Sequence, residues 1–156
     1  MEFNVSKCKV MHIGYHNKGY NYFIDGKLLQ TTDKEKDLGV LITSDLKAGE
    51  QCLAAYGKAN RMLGLIKRTL VNKDRKVLLA LYKSIVRPHL EYCCSAWAPH
   101  YVKDKELLEK VQRRFTRLFK DLRDMNYLQR LDCLGLWTLK EKRNQPDVIE
   151  LSLIHI

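Results

Sequence analysis

The sequence predicts an α+β chain that is mostly α, with short strands first and a helical bundle after them. Three observations carry this reading. Tyr20-Asn21-Tyr22-Phe23-Ile24 and Lys27-Leu28-Leu29-Gln30 flank Asp25-Gly26, and Asp-Gly supplies the two positive-φ positions of a type I′ hairpin turn. Beyond residue 46 the apolar period changes, and Cys52, Ala55, Tyr56, Ala59, Leu63, Ile66 and Leu70 recur at spacings of three and four, the signature of one helical face. Leu107, Leu108, Val111, Phe115, Leu118, Phe119 and Leu122 repeat that signature, giving the clearest amphipathic stripe in the chain.

In chain order, Lys9-Val10-Met11-His12-Ile13 reads as a strand closed by Gly14, and the hairpin follows. Residues 31–37 read as a polar loop, and Leu38-Gly39-Val40-Leu41-Ile42 as another strand. The first helix is expected over about residues 46–70, with Lys47, Lys58, Arg61 and Arg68 near the side opposite its apolar row. Asn72 is the expected N-cap of the second helix, with Asp74 in its first turn. Pro88 interrupts that helix, because it lacks an N–H and its ring crowds the preceding turn. Helix resumes over 89–97 and stops at Pro99. Asp104 is the expected cap of the third helix, whose outer side carries Lys110, Arg113, Arg114 and Arg117. A shorter helix over 127–134 ends at Gly135, and 136–142 begins another turn.

The chain has 156 residues, 28 basic and 18 acidic, for a formal net charge of +10. Its 46% apolar content argues against wholesale disorder. The first fifty residues are neutral in sum, and over 58–87 the single acid is Asp74. A basic field concentrated in this way fits a polyanionic partner, above all the phosphate backbone of a nucleic acid. The competing reading is a solvated basic surface. Five widely spaced cysteines do not form a disulfide framework. No basic start followed by an apolar run opens the chain, and no stretch approaches the length needed to span a bilayer. An intracellular setting without membrane attachment is the expectation, with nucleus and cytoplasm not separated.

No nucleophile elbow, phosphate-binding glycine loop or His-Glu metalloprotease pair is present. Asp33, Glu35 and Asp37 alternate and would share a strand face, but interleaved Lys34 and Lys36 favour a solvated loop. His89, Cys93, Cys94, His100 and Cys133 lack the paired Cys-x-x-Cys spacing of structural zinc, so core packing is the preferred reading of the cysteines. Tyr92, Trp97, Tyr101 and Trp137 are read as packing aromatics before stacking platforms. No metal ligand is assigned.

Several segments in sequence resemble one family. Phe3-Asn4-Val5-Ser6-Lys7-Cys8-Lys9-Val10-Met11 resembles the motif that follows the catalytic Tyr-x-Asp-Asp hairpin of non-LTR (LINE-like, jockey-type) retrotransposon reverse transcriptases. Lys36-Asp37-Leu38-Gly39-Val40 resembles the next motif, the primer grip. Asn60-Arg61-Met62-Leu63-Gly64, Leu81-Tyr82-Lys83-Ser84-Ile85-Val86-Arg87-Pro88-His89-Leu90-Glu91-Tyr92, Leu108-Glu109-Lys110-Val111-Gln112-Arg113-Arg114 and Arg130-Leu131-Asp132-Cys133-Leu134-Gly135-Leu136 resemble thumb segments. The matches run in order over 2–143.

The resemblance implies a palm-edge β segment over 1–43 with a primer-grip-like hairpin, and a helical thumb-like region over 44–145. It also implies binding of an RNA–DNA template–primer, with the remainder of the parent polymerase as a second partner. The family joins nucleotides by two-metal phosphoryl transfer with Mg²⁺. Its metal-binding aspartates lie in motifs ahead of the one matched by Phe3, so the matched residues hold none of them and no cofactor is expected in this stretch. Related polymerases are proposed to use a lysine at the position matched by Lys7 as general acid toward the leaving pyrophosphate. Leu38 and Gly39 match the primer-grip core, whose backbone supports the primer end. Lys58, Arg61 and Arg68 are expected phosphate contacts, chosen on charge and helix face.

After Arg143 the sequence leaves the family pattern. The last six residues, Leu151-Ser152-Leu153-Ile154-His155-Ile156, are what a transposase mosaic end used in sequencing adapters encodes, so 146–156 is read as a tail with an adapter-derived end. Two other readings stand beside the polymerase one: a free-standing helical adaptor that binds protein, and a decayed element remnant with no selected function.

Overall fold

The computed structural model describes residues 4–70 and 74–143. Asn72 and the tail over 146–156 lie outside the described residues. The chain is α+β and mostly helical, and it divides into two compact units, Met1–Gln51 and Cys52–Ile156.

Among its described residues the first unit holds six short strands in three two-stranded pairs. A 3-10 turn, Val5–Lys7, is capped by Asn4, whose side chain accepts from the Ser6 amide at 3.2 Å. Strands β1 (Lys9–Val10) and β4 (Gln30–Thr31) pair in parallel. Strands β2 (Phe23–Ile24) and β3 (Lys27–Leu28) form the expected hairpin, with Asp25 and Gly26 at φ 49° and 72°.

Residues 34–37, read as loop, form strand β5 (Lys34–Asp37), antiparallel to β6 (Val40–Thr43). Polarity misled there, because an exposed strand needs no apolar face. The ladder to β6 pairs one edge of its backbone, and two of its four charges have partners, Glu35 held by Lys9 at 2.6 Å and Lys34 by Glu50 at 3.2 Å. The strand expected from Leu38 begins only at Val40, since Leu38-Gly39 is itself the two-residue turn.

The second unit is helical. Helix α1 (Gly49–Thr69) buries Cys52, Ala55, Ala59, Leu63 and Ile66, most of the predicted row. Its start lies three residues later than expected. Leu46 is left-handed at φ 53°, and Asp45 accepts from the Lys47 amide at 3.1 Å and the Thr43 hydroxyl at 2.7 Å, so that stretch closes as a turn. Helix α2 (Arg75–Leu81) begins after Asp74, which stands at the N-cap instead of in the first turn.

Pro88 acts as expected, and the manner is informative. The chain widens into one π-turn over Tyr82–Val86, where Arg87 donates to the Tyr82 carbonyl at 2.9 Å, and Pro88 then opens α3 (Pro88–Glu91). The wider turn reduces the clash of the proline ring with the preceding carbonyls. The single helix expected over 89–97 is broken at Cys93, which is left-handed at φ 51°, and resumes as α4 (Cys94–Trp97).

Helix α5 (Val102–Thr116) starts ahead of Asp104, so Asp104 is a buried first-turn acid and not the cap. Leu108, Val111 and Phe115 are buried, and the stripe continues past the helix into buried Phe119 and Leu122. Tyr82 stacks on Phe115 at 4.0 Å between ring centroids, and Phe115 meets Phe119 edge-on at 5.3 Å. Helix α6 (Tyr127–Leu134) has a capping box of Asn126 and Gln129 and ends on left-handed Gly135. Residues 139–143 are helical again, entered through Thr138, whose hydroxyl donates to Glu141 at 2.7 Å.

Candidate nucleic-acid interface

Helix α1 sorts its side chains by physics alone. At about 100° per residue, Arg61 and Arg68 lie roughly opposite the buried row, and both are exposed. Lys58 falls at the shoulder, about 100° from that row, and is half-buried. The predicted cationic side therefore exists, but Lys58 sits on its edge. Gly57 and Gly64 share this outer side, and a Cβ added to either would meet nothing within 4 Å. The helix backbone is thus open to approach between the two arginines.

Leu38 and Gly39 stand together at the tip of the β5–β6 turn at φ 43° and 90°. Leu38 is 84% exposed. Left-handed backbone costs an L-residue about 1–2 kcal/mol, and solvating leucine adds to that. Asn or Gly would avoid both penalties. Lys7 is exposed at the end of the 3-10 turn that Asn4 caps. Lys7 and Leu38-Gly39 belong to the first unit; Lys58, Arg61 and Arg68 belong to the second.

The structure also assembles cations that sequence reading left scattered. Asn60, Gly64 and Lys67 of α1, with Arg114, Arg117, Lys120 and Arg123, line a cleft of about 380 Å³. The last four recur at intervals of three residues, a spacing that was visible in the sequence. Arg114 Nη1 donates to Asn60 Oδ1 at 3.1 Å, and its guanidinium lies over the Tyr56 ring.

A buried polar hub went unnoticed as well. Tyr82 donates to Gln112 Oε1 at 2.8 Å, and Gln112 Nε2 donates to the Trp137 carbonyl at 2.9 Å. Glu109 accepts from the Tyr127 hydroxyl and from the Leu139 amide, the latter at 3.1 Å. Burial first, and then the Glu109 hydrogen bond, push the Tyr127 phenol well above the usual range. Burial likewise raises the Tyr82 phenol, and it pushes the Cys52 thiol up to about 11.

Two packing expectations need correction. Cys52 is core, but Cys93 and Cys133 are exposed, because Cys93 occupies a chain reversal and Cys133 the outer side of α6. Trp97 is buried and donates to the Tyr92 carbonyl at 2.7 Å, whereas Tyr92, Tyr101 and Trp137 are exposed. Among the described residues no three His, Cys, Asp or Glu side chains come together to hold a metal ion. No described helix is long and apolar enough to cross a membrane.

No protein-family model, curated protein or solved structure matches this chain.

Proposed function

We propose that the chain is a nucleic-acid-binding portion of a non-LTR retrotransposon reverse transcriptase, combining palm edge and thumb and holding an RNA–DNA template–primer. One observation carries the reading. Helix α1 packs one side into the core and turns Arg61 and Arg68 outward together, beside two glycines that leave its backbone open. Such a surface offers a duplex guanidinium donors for phosphates and little that reads bases.

The strained, exposed Leu38-Gly39 tip supports the primer-grip reading, since strain held at a solvent-facing tip marks function more often than stability. The chemistry itself belongs to the parent enzyme, where Mg²⁺ would be held by aspartates that the matched residues do not include. Lys7 would act there as general acid.

The test is salt-dependent binding to an RNA–DNA duplex. Replacing Lys58, Arg61 and Arg68 with Ala is expected to weaken binding similarly for unrelated sequences. It is also expected to flatten log K against log salt by about 2–3, at about 0.9 per phosphate contact on B-DNA. An unchanged slope would remove this face from the site. Salt-insensitive capture of a protein partner, with no duplex binding, would replace the reading with the adaptor.

A further inference from the structure

We infer that the cleft between α1 and the end of α5 binds the phosphates of a single nucleic-acid strand, separately from the duplex face. This inference rests on the nucleic-acid reading and extends it to a second surface. Among the described residues, five cations border the cleft, Lys67, Arg114, Arg117, Lys120 and Arg123, and no carboxylate lines it. The acids nearest in sequence do not neutralise it. Asp121 faces Arg75 at 3.8 Å, and neither Asp121 nor Asp124 borders the cavity. Among the described residues, none of the five forms an ion pair with a carboxylate.

Helix-end electrostatics accounts for part of this charge. Lys67 lies in the last turn of α1 and Arg114 in that of α5, where cations offset the macrodipole. Each helix end carries only about half a negative charge, and Lys120 and Arg123 lie beyond the end of α5. A surplus therefore remains, gathered around one concavity. Like charges held together without acids repel, and a polyanion relieves that repulsion.

The chemistry of the lining selects the ligand. Arg114 spends one donor on Asn60 and keeps others of its five N–H groups. The cations offer donors only, and the one neutral amide, Asn60, has its oxygen engaged by Arg114 and is left with donors. Among the described residues no aromatic side chain borders the cavity, so a base would find no ring to stack on. A free nucleotide would leave its base unrecognised, whereas a strand could place its phosphates inside and its bases outside. A cleft of about 380 Å³ also suits one strand better than the convex breadth of a duplex. Lys67 is displaced about 100° around α1 from Arg68, so this surface adjoins the duplex face, meeting it at Gly64.

The experiment compares two ligands on the full chain: a blunt RNA–DNA duplex, and the same duplex with a single-stranded overhang. The parent chain is expected to bind the overhang form more tightly and with a steeper salt slope. Replacing Arg117, Lys120 and Arg123 with Ala is expected to abolish that advantage and flatten the overhang slope by about 2, at about 0.7 per single-strand phosphate. Blunt-duplex binding is expected to persist. Helix content from circular dichroism controls for folding, and Lys120→Glu with Arg123→Glu, both exposed, gives a second variant that acts through charge alone.

If blunt and overhang binding fall equally in the variants, the cleft is not a separate site. If the variants retain the overhang advantage, or the parent never shows one, the cleft does not bind a strand, and the duplex reading stands. A parent chain that binds neither ligand overturns the cleft and the proposed function together.

Discussion

Leu38 and Glu109 show how single side chains hold conflicting demands. Leu38 is a left-handed, exposed leucine at a two-residue turn. Substituting Asn, which favours that turn beside Gly39, is expected to stabilise the β5–β6 hairpin by about 1 kcal/mol. Slower amide exchange in β5 and β6 would register the gain. Loss of duplex binding in the same variant would assign primer support to the leucine side chain; unchanged binding would leave that support to the backbone.

Glu109 is the reverse case, a buried carboxylate that accepts from two elements. Glu109→Ala leaves the Tyr127 hydroxyl and the Leu139 amide without an acceptor and is expected to cost about 3 kcal/mol. Glu109→Gln keeps one accepting oxygen and is expected to cost less. Denaturant titration of both variants checks the order, and equal losses would show that the cost is packing.

At the scale of elements, the strands and helices differ in what holds them. Val40 is the only buried hydrophobic residue among the described residues of the first unit, while the second buries rows from α1 and α5 together with Leu78 of α2 and Leu131 and Leu134 of α6. The strand pairs leave Tyr15, Tyr20, Phe23 and Leu28 exposed. Ladders of two to four residues without a core open readily. Amides in the first forty-odd residues are therefore expected to exchange orders of magnitude faster than those of α1 and α5. Comparable protection in both units would show that the strands are held by more than their own pairing. On the proposed reading, these exposed aromatics are where the remainder of the palm would pack.

For the whole molecule, the buried acids set the pH response. Cys52, Tyr82 and Tyr127 all have raised pKa values in the folded chain, each chiefly through burial. The folded state thus keeps protons that the unfolded chain releases. Their contribution is intact below the ordinary values of 9.0 for the thiol and 10.0 for the phenols, and is lost as pH rises past them. For Cys52 the loss runs from 9.0 to about 11. Denaturant midpoints are expected to fall as the pH rises from about 9 to about 11. Cys52→Ser is expected to remove the earliest part of the fall, and a flat profile would place these groups in contact with solvent.

The sequence by itself determined what depends on neighbours along the chain. The Asp25-Gly26 turn, the apolar rows of α1 and α5, the Gly135 stop and the break at Pro88 are local steric and periodic facts, legible because sterics and side-chain period need no partner. Arg61 and Arg68 were legible for the same reason: a helix with one apolar side leaves its opposite side to solvent.

Only the tertiary structure decided the rest. Strand β5 looked like loop because its pairing, and not its composition, makes it a strand. Glu109 and Gln112 lie outside the apolar stripe of α5, and are buried because Tyr82, Tyr127 and the 137–139 backbone supply their hydrogen bonds. Lys67 and Arg123 are 56 positions apart in the sequence, and no periodicity links them. Packing of α1 beside the end of α5 places both on one cleft, because charge placed by distant segments becomes a single field only after the chain has folded.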